Sequence, residues 1–141
     1  MSGFLLDTNV VSELVRPRPD PQVAAWIQAT PEGLLHLSVL TLGEIQKGVT
    51  LVASSARRAA LQAWLDADLP VRFSGRILPV DASIAARWGA LSGLAQARGI
   101  PLPVIDGLLA ATALQHHLTL VTRSVRDLAP TRVPVLNPWK T

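Results

Sequence analysis

"FLLDTNVVSEL", residues 4–14, decides how this chain folds. Phe4, Leu5 and Leu6 run straight into Asp7, and the polar pair Thr8-Asn9 follows before the chain turns apolar again. A short unbroken apolar run is the pattern of a strand buried on both faces. The residues at 8–16 then read as a helix that "PRPDP" (17–21) stops, since proline cannot continue one. An ionised group at the edge of a core is costly unless something pairs with it. Asp7 therefore either caps the next helix or holds a cation.

Outward from this stretch, strands and helices alternate. Val23, Trp26 and Ile27 have helical spacing, and "LLHLS" (34–38) reads as a strand. "VLTLGEIQKGVTLV" (39–52) is a helix with Leu42, Ile45 and Val49 on one stripe, and Leu61, Trp64 and Leu65 mark another at 55–69. "RILPV" (76–80) is a short strand. The helix at 81–99 has Asp81 or Ser83 as N-cap, a stripe at Ile84, Trp88, Leu91 and Leu94 or Ala95, and Gly99 as its stop. A helix at 103–117 turns Ile105, Leu108, Leu109 and Ala113 inward, and strands at 118–122 and 133–137 complete the chain. The fold class expected is α/β, built around a mainly parallel sheet. No repeat or linker divides residues 1–141, so one domain is expected.

Composition narrows the function. Hydrophobic residues make up 49% of the 141, which rules out disorder as a description of the whole. With no cysteine, thiolate metal sites and disulfides are excluded. The N-terminus lacks the charged and apolar regions of a signal peptide, and no stretch reaches the roughly 18 apolar residues of a spanning helix. A cytoplasmic protein without a membrane partner is the expectation. The net charge of +3, with eleven of thirteen cations arginine, is a weak pointer to nucleic acid.

The acids are more informative. In open α/β sheets, ligands bind beyond the carboxyl ends of the strands. Asp7 ends the first strand, and "TRSVRD" (122–127) places Ser124 and Asp127 just past the fourth, a good candidate for its neighbour. Glu44 lies on the stripe side of its helix, and Asp106 lies in the first turn of an apolar one. Each has an ordinary explanation: a cap for Asp7, the helix dipole for Asp106, a solvated face for Glu44. Glu13, Asp20, Asp66 and Asp68 read as surface acids. Three carboxylates in one cleft resist joint ionisation, and a divalent cation removes that conflict. An all-oxygen site favours Mg²⁺ or Mn²⁺ over zinc. His36, His116 and His117 read as structural, and no P-loop or nucleophile elbow is present.

"LLDTNVVSEL", "LTLGEIQKG", "IDGLLAATALQHHLTLVTR" and the closing "NPW" together resemble PIN-domain ribonucleases, most closely the VapC and FitB-type toxins of toxin–antitoxin pairs. The likeness spans nearly the whole chain in order and spacing, and "GRILPVD" (75–81) tilts it toward the FitB-like branch. It implies metal-dependent hydrolysis of RNA phosphodiesters. Asp7, Glu44 and Asp106 match the family's metal-binding acids, and Thr8 and Asn9 match the polar pair that braces the first. The family's fourth acid departs here: Ser124 stands where Asp or Asn is frequent, while Asp127 matches a later acid. Either Ser124 or Asp127 takes that position, with one metal ion or two. Arg123 holds a phosphate or an ion pair, and Arg16, Arg18, Arg57 and Arg58 are candidate RNA contacts or solvated arginines. The resemblance also implies a homodimer and a VapB/FitA-like antitoxin, for which the helices bearing Trp26 and Trp64 offer a groove. The alternative is a PIN-like module that binds RNA or a partner without cutting.

Overall fold

Leu5 and Leu6 set the layering. Both are wholly buried, yet they enter different cores. Leu6 packs with Val10, Val23, Leu35, Ile45 and Phe73, whereas Leu5 packs with Leu109, Ala113, Leu120 and Leu128. Successive side chains of a strand point to opposite faces, so this strand is covered by helices on both sides. The structure, a computed structural model, describes residues 2–140.

Among the described residues the strands are β1 (Phe4–Leu6), β2 (Leu35–Ser38), β3 (Ile77–Leu78), β4 (Thr119–Val121) and β5 (Val135–Leu136). They form one sheet in the order β3-β2-β1-β4-β5, with every neighbouring pair parallel. The α/β class and the pairing of β1 with β4 are as the sequence leads one to expect. From β1 the chain winds outward through β2 to β3, then returns to β4 on the other side of β1. That reversal makes β1 and β4 the switch point, where a parallel sheet opens a crevice at its carboxyl edge.

The helices are α1 (Thr8–Glu13), α2 (Pro21–Ala29), α3 (Val39–Thr50), α4 (Ser55–Ala63), α5 (Leu69–Arg72), α6 (Ala82–Ala97), α7 (Val104–Gln115) and α8 (Val125–Leu128). Ser38 and Asp81 cap α3 and α6 by accepting from the backbone N–H of Leu40 and Ile84. Gly99 (φ 73°) ends α6, as expected, by taking the left-handed conformation that lets Ile100 N–H reach Ala95 O at 3.0 Å.

Two expectations need correction, and one open alternative is decided. The helix at 55–69 is broken: after α4 a π-turn covers Trp64–Asp68 before α5. Pro70 has no N–H to give the preceding turn, and a bond from Leu69 N–H to Trp64 O widens the helix there. The stripe of α6 resolves to Ala95, buried, while Leu94 is exposed. Glu13 is no surface acid. It is 3% exposed, because α1 ends inside the angle between α2 and the 14–20 turn, and it pairs with Arg16 at 3.2 Å.

Candidate metal centre

Asp7 reaches the crevice because the ladder carries it there. Its N–H donates to Val121 O at 2.9 Å, prolonging the parallel pairing of Leu6 with Val121 by one step. The carboxylate is 6% exposed and fully engaged on its inner side. Thr8 N–H donates to Oδ1 at 2.7 Å, and the buried Thr122 hydroxyl donates to Oδ2 at 2.7 Å. Thr122 Oγ1 in turn accepts from Ser124 N–H at 2.9 Å. The cap is therefore real, but it does not neutralise the charge. Among the described residues, none of Asp7, Glu44, Asp106 and Asp127 is in an ion pair.

The other acids arrive on three separate helices. Glu44 stands half-buried in the second turn of α3, where Thr8 Oγ1 donates to its Oε1 at 2.5 Å. Asp106 lies in the first turn of α7, and Asp127 is exposed on α8. The Asp106 carboxyl is held above the usual carboxylate range, first by burial and then by the negative charges of Asp7, Asp127 and Glu44. Three of the acids singled out from sequence thus act on the carboxyl of the fourth. They do not close on one point: among the described residues, no three His, Cys, Asp or Glu side chains are grouped tightly enough to hold an ion. Mutual repulsion spreads like charges that have no counter-charge between them.

The donors present fit a hard divalent cation. They are all oxygen and lack a basic partner, and Asn9 Oδ1, two residues from Asp7, is buried with no hydrogen bond.

The sequence profile of the PIN domain matches residues 4–126. This chain belongs to the PIN-domain family. It is 38% identical over 136 residues to Toxin FitB of Neisseria gonorrhoeae, spanning 96% of this chain and 98% of that one. It is 33% identical to a VapC ribonuclease of Sinorhizobium fredii, over 97% of this chain and 98% of the relative. The crystal structure of FitAcB from Neisseria gonorrhoeae superposes with a TM-score of 0.92 at 37% identity, covering 98% of this chain and 99% of that one. A toxin–antitoxin complex from Klebsiella pneumoniae gives 0.69 at 25% identity, covering 96% and 98%. PIN domains are nucleases, generally metal-dependent ones.

Within this PIN domain the remaining expectations sort clearly. Thr8 braces Asp7 through its backbone only, while its hydroxyl serves Glu44; Asn9 makes no hydrogen bond to Asp7. Ser124 gives its backbone N–H to Thr122, and Asp127 is the residue whose charge is felt at Asp106. Arg123 forms no ion pair among the described residues; its guanidinium lies 4.0 Å over the Trp139 ring. Arg16 is taken by Glu13, and Arg57 and Arg58 donate to the carbonyls of Val15 and Val52. His36 is tied to Leu34 O at 3.0 Å, a structural role as expected.

The tryptophans part company: Trp26 stacks edge-on against Phe4 at 5.1 Å, whereas Trp64 lines a groove with Thr8, Ile45 and Leu61. Helix α2 instead faces a separate cavity beside Glu13. Thr122 was not anticipated. The signal was available in the register, because a parallel partner for Leu6 at Val121 puts Thr122 opposite Asp7.

Proposed function

We propose that this chain is a Mg²⁺- or Mn²⁺-dependent endoribonuclease, the toxin of a cytoplasmic toxin–antitoxin pair, formed by residues 1–141 as one domain. The observation that carries the reading is the raised Asp106 carboxyl, whose causes name Asp7, Asp127 and Glu44 together. Four acids from separate elements, near enough for three of them to act on the fourth and without a basic partner, would concentrate negative charge. That suits a cation and destabilises the empty protein.

Asp7, Glu44 and Asp106 would hold the ion. When bound, a divalent cation supplies charge stabilisation for phosphoryl oxygens and lowers the pKa of a coordinated water. The chain's own work is orientation. Thr8 N–H and the Thr122 hydroxyl fix the two oxygens of Asp7, and the Thr8 hydroxyl fixes Glu44. Asp127, exposed on α8, would accept a proton from an attacking water. Among the described residues no helix is long and apolar enough to cross a membrane.

The groove lined by Thr8, Ser12, Ile45, Val49, Leu61 and Trp64, about 340 Å³, opens beside Glu44 and supports an antitoxin segment lying against the acids. The solved toxin–antitoxin complex of the Klebsiella relative favours the same partner. A homodimer of the toxin belongs to the same proposal.

Cleavage of total cellular RNA by the purified chain tests the activity, run with Mg²⁺, with Mn²⁺ and with EDTA beside Asp7→Asn and Asp106→Asn. Discrete products that need metal and disappear in both variants are expected. RNA left intact by the wild type under every condition would leave a non-cutting binding module instead.

A further inference from the structure

The acidic centre must receive a polyanion, and the charge that would offset its repulsion lies on one side of it. A cleft of about 620 Å³ is lined by Arg123, Val125, Arg126, Val135, Asn137 and Lys140. It carries three exposed cations and no acid. None of the three is in an ion pair among the described residues, whereas Arg16, Arg72 and Arg76 are all committed to Glu13 or Glu32. Arg123, Arg126 and Lys140 thus bring three cations without an ion-pair partner to one cleft.

Arg123 is pre-oriented. Its guanidinium carbon lies 4.0 Å from the centroid of the Trp139 ring, a cation–π contact that restrains the side chain while its charge has no ion-pair partner among the described residues. The backbone N–H of Trp139 donates to Asn137 Oδ1 at 3.0 Å, which ties Trp139 to a residue that lines the cleft.

The cleft and the acidic centre also share a segment. Thr122 holds Asp7 and Ser124 N–H holds Thr122, while Arg123, Val125 and Arg126 line the cleft from the same short stretch. Thr122 N–H is bonded to Leu136 O at 3.0 Å, which ties in the second wall from β5.

We propose that this cleft is the subsite for backbone phosphates of a single-stranded RNA adjoining the bond to be cut. The proposal rests on the nuclease reading above and adds where the strand runs, past β4 and β5 rather than along α3 and α4.

The test is fluorescence anisotropy with a labelled single-stranded RNA oligomer and Mg²⁺, in an Asp106→Asn background that does not cut. Arg123→Ala, Arg126→Ala and Lys140→Ala are compared with Arg98→Ala, an exposed arginine outside the cleft. Each cleft substitution is expected to reduce the slope of log K on log[salt] by about 0.7, or about fivefold in affinity at about 0.1 M salt relative to 1 M. Arg126→Lys should restore the slope. Arg126 and Lys140 are exposed, so unchanged melting temperatures separate lost contacts from lost fold.

Slopes that match Arg98→Ala would overturn the proposal. So would variants that bind RNA normally but lose the antitoxin, which would give the cleft to an acidic protein segment. If the wild type cuts no RNA yet the cleft substitutions still lower the slope, the subsite stands and the nuclease reading fails.

Discussion

Thr122→Val is the sharpest single perturbation of the centre. The side chain keeps its shape and loses one oxygen, which donates to Asp7 Oδ2 at 2.7 Å and accepts from Ser124 N–H at 2.9 Å. Thr122 is fully buried and Asp7 is 6% exposed, so bulk water does not replace either bond readily. A hydrogen bond to a charged group contributes about 1.5–3 kcal/mol, and stranding a buried N–H costs about 1 kcal/mol more. The sum is about 2.5–4 kcal/mol. For a domain of this size, at about 3–4 °C per kcal/mol, the melting temperature in EDTA should fall by about 8–16 °C.

A second effect follows from position. Groups that orient a metal-binding carboxylate typically contribute about 10–100-fold in metal affinity or activity. Ser124→Ala is the control, because Ser124 acts through its backbone, and it should stay within about 0.5 kcal/mol of wild type. Calorimetry with and without Mg²⁺, together with RNA cleavage at saturating and limiting metal, reads both effects. A Thr122→Val protein that melts within about 0.5 kcal/mol of wild type in EDTA would refute the account of Asp7 as a buried charge dependent on that hydroxyl.

Two further outcomes follow from the same geometry. Because the folded Asp106 carboxyl is raised, the native protein binds its proton more tightly than the unfolded chain does. Its effect on stability is absent below the ordinary carboxylate range and becomes unfavourable as pH rises through the raised folded value. In EDTA, Asp106→Asn should therefore melt above wild type at neutral pH and converge with it in acid. An Asn variant that melts lower across the whole range would contradict this. Separately, a Cβ at Gly3 would lie 2.7 Å from Leu34 O, a backbone atom that cannot step aside. Gly3→Ala should force β1 from β2 at a cost of about 1–3 kcal/mol, seen in denaturant titration as a lower midpoint. An unchanged midpoint would mean the strands part there freely.

The candidate site was legible in sequence because a carboxylate in an apolar run is chemically conspicuous. Asp7 and Asp106 stand out against "FLL" and "VI-GLLAA", and the cost of burying charge supplies the reason to notice them. The sheet was legible for a related reason: strands covered on both faces, like Leu5-Leu6 and Leu120-Val121, have no polar side to alternate with. Glu13 defeated the same logic. It sits among polar neighbours in sequence and is buried only because α2 folds over the end of α1.

Residue types and their order were enough to specify an α/β chain, its strands and the acids at their ends, since burial and periodicity are local properties of the string. Which oxygen pairs with which donor was a matter of register. Thr122 meets Asp7, Thr8 turns its hydroxyl to Glu44 instead of Asp7, and Arg123 lies on Trp139 because β1, β4 and β5 align side by side. These contacts join residues as far apart as 115 positions, and their short range makes them sensitive to distances that only the packed sheet sets.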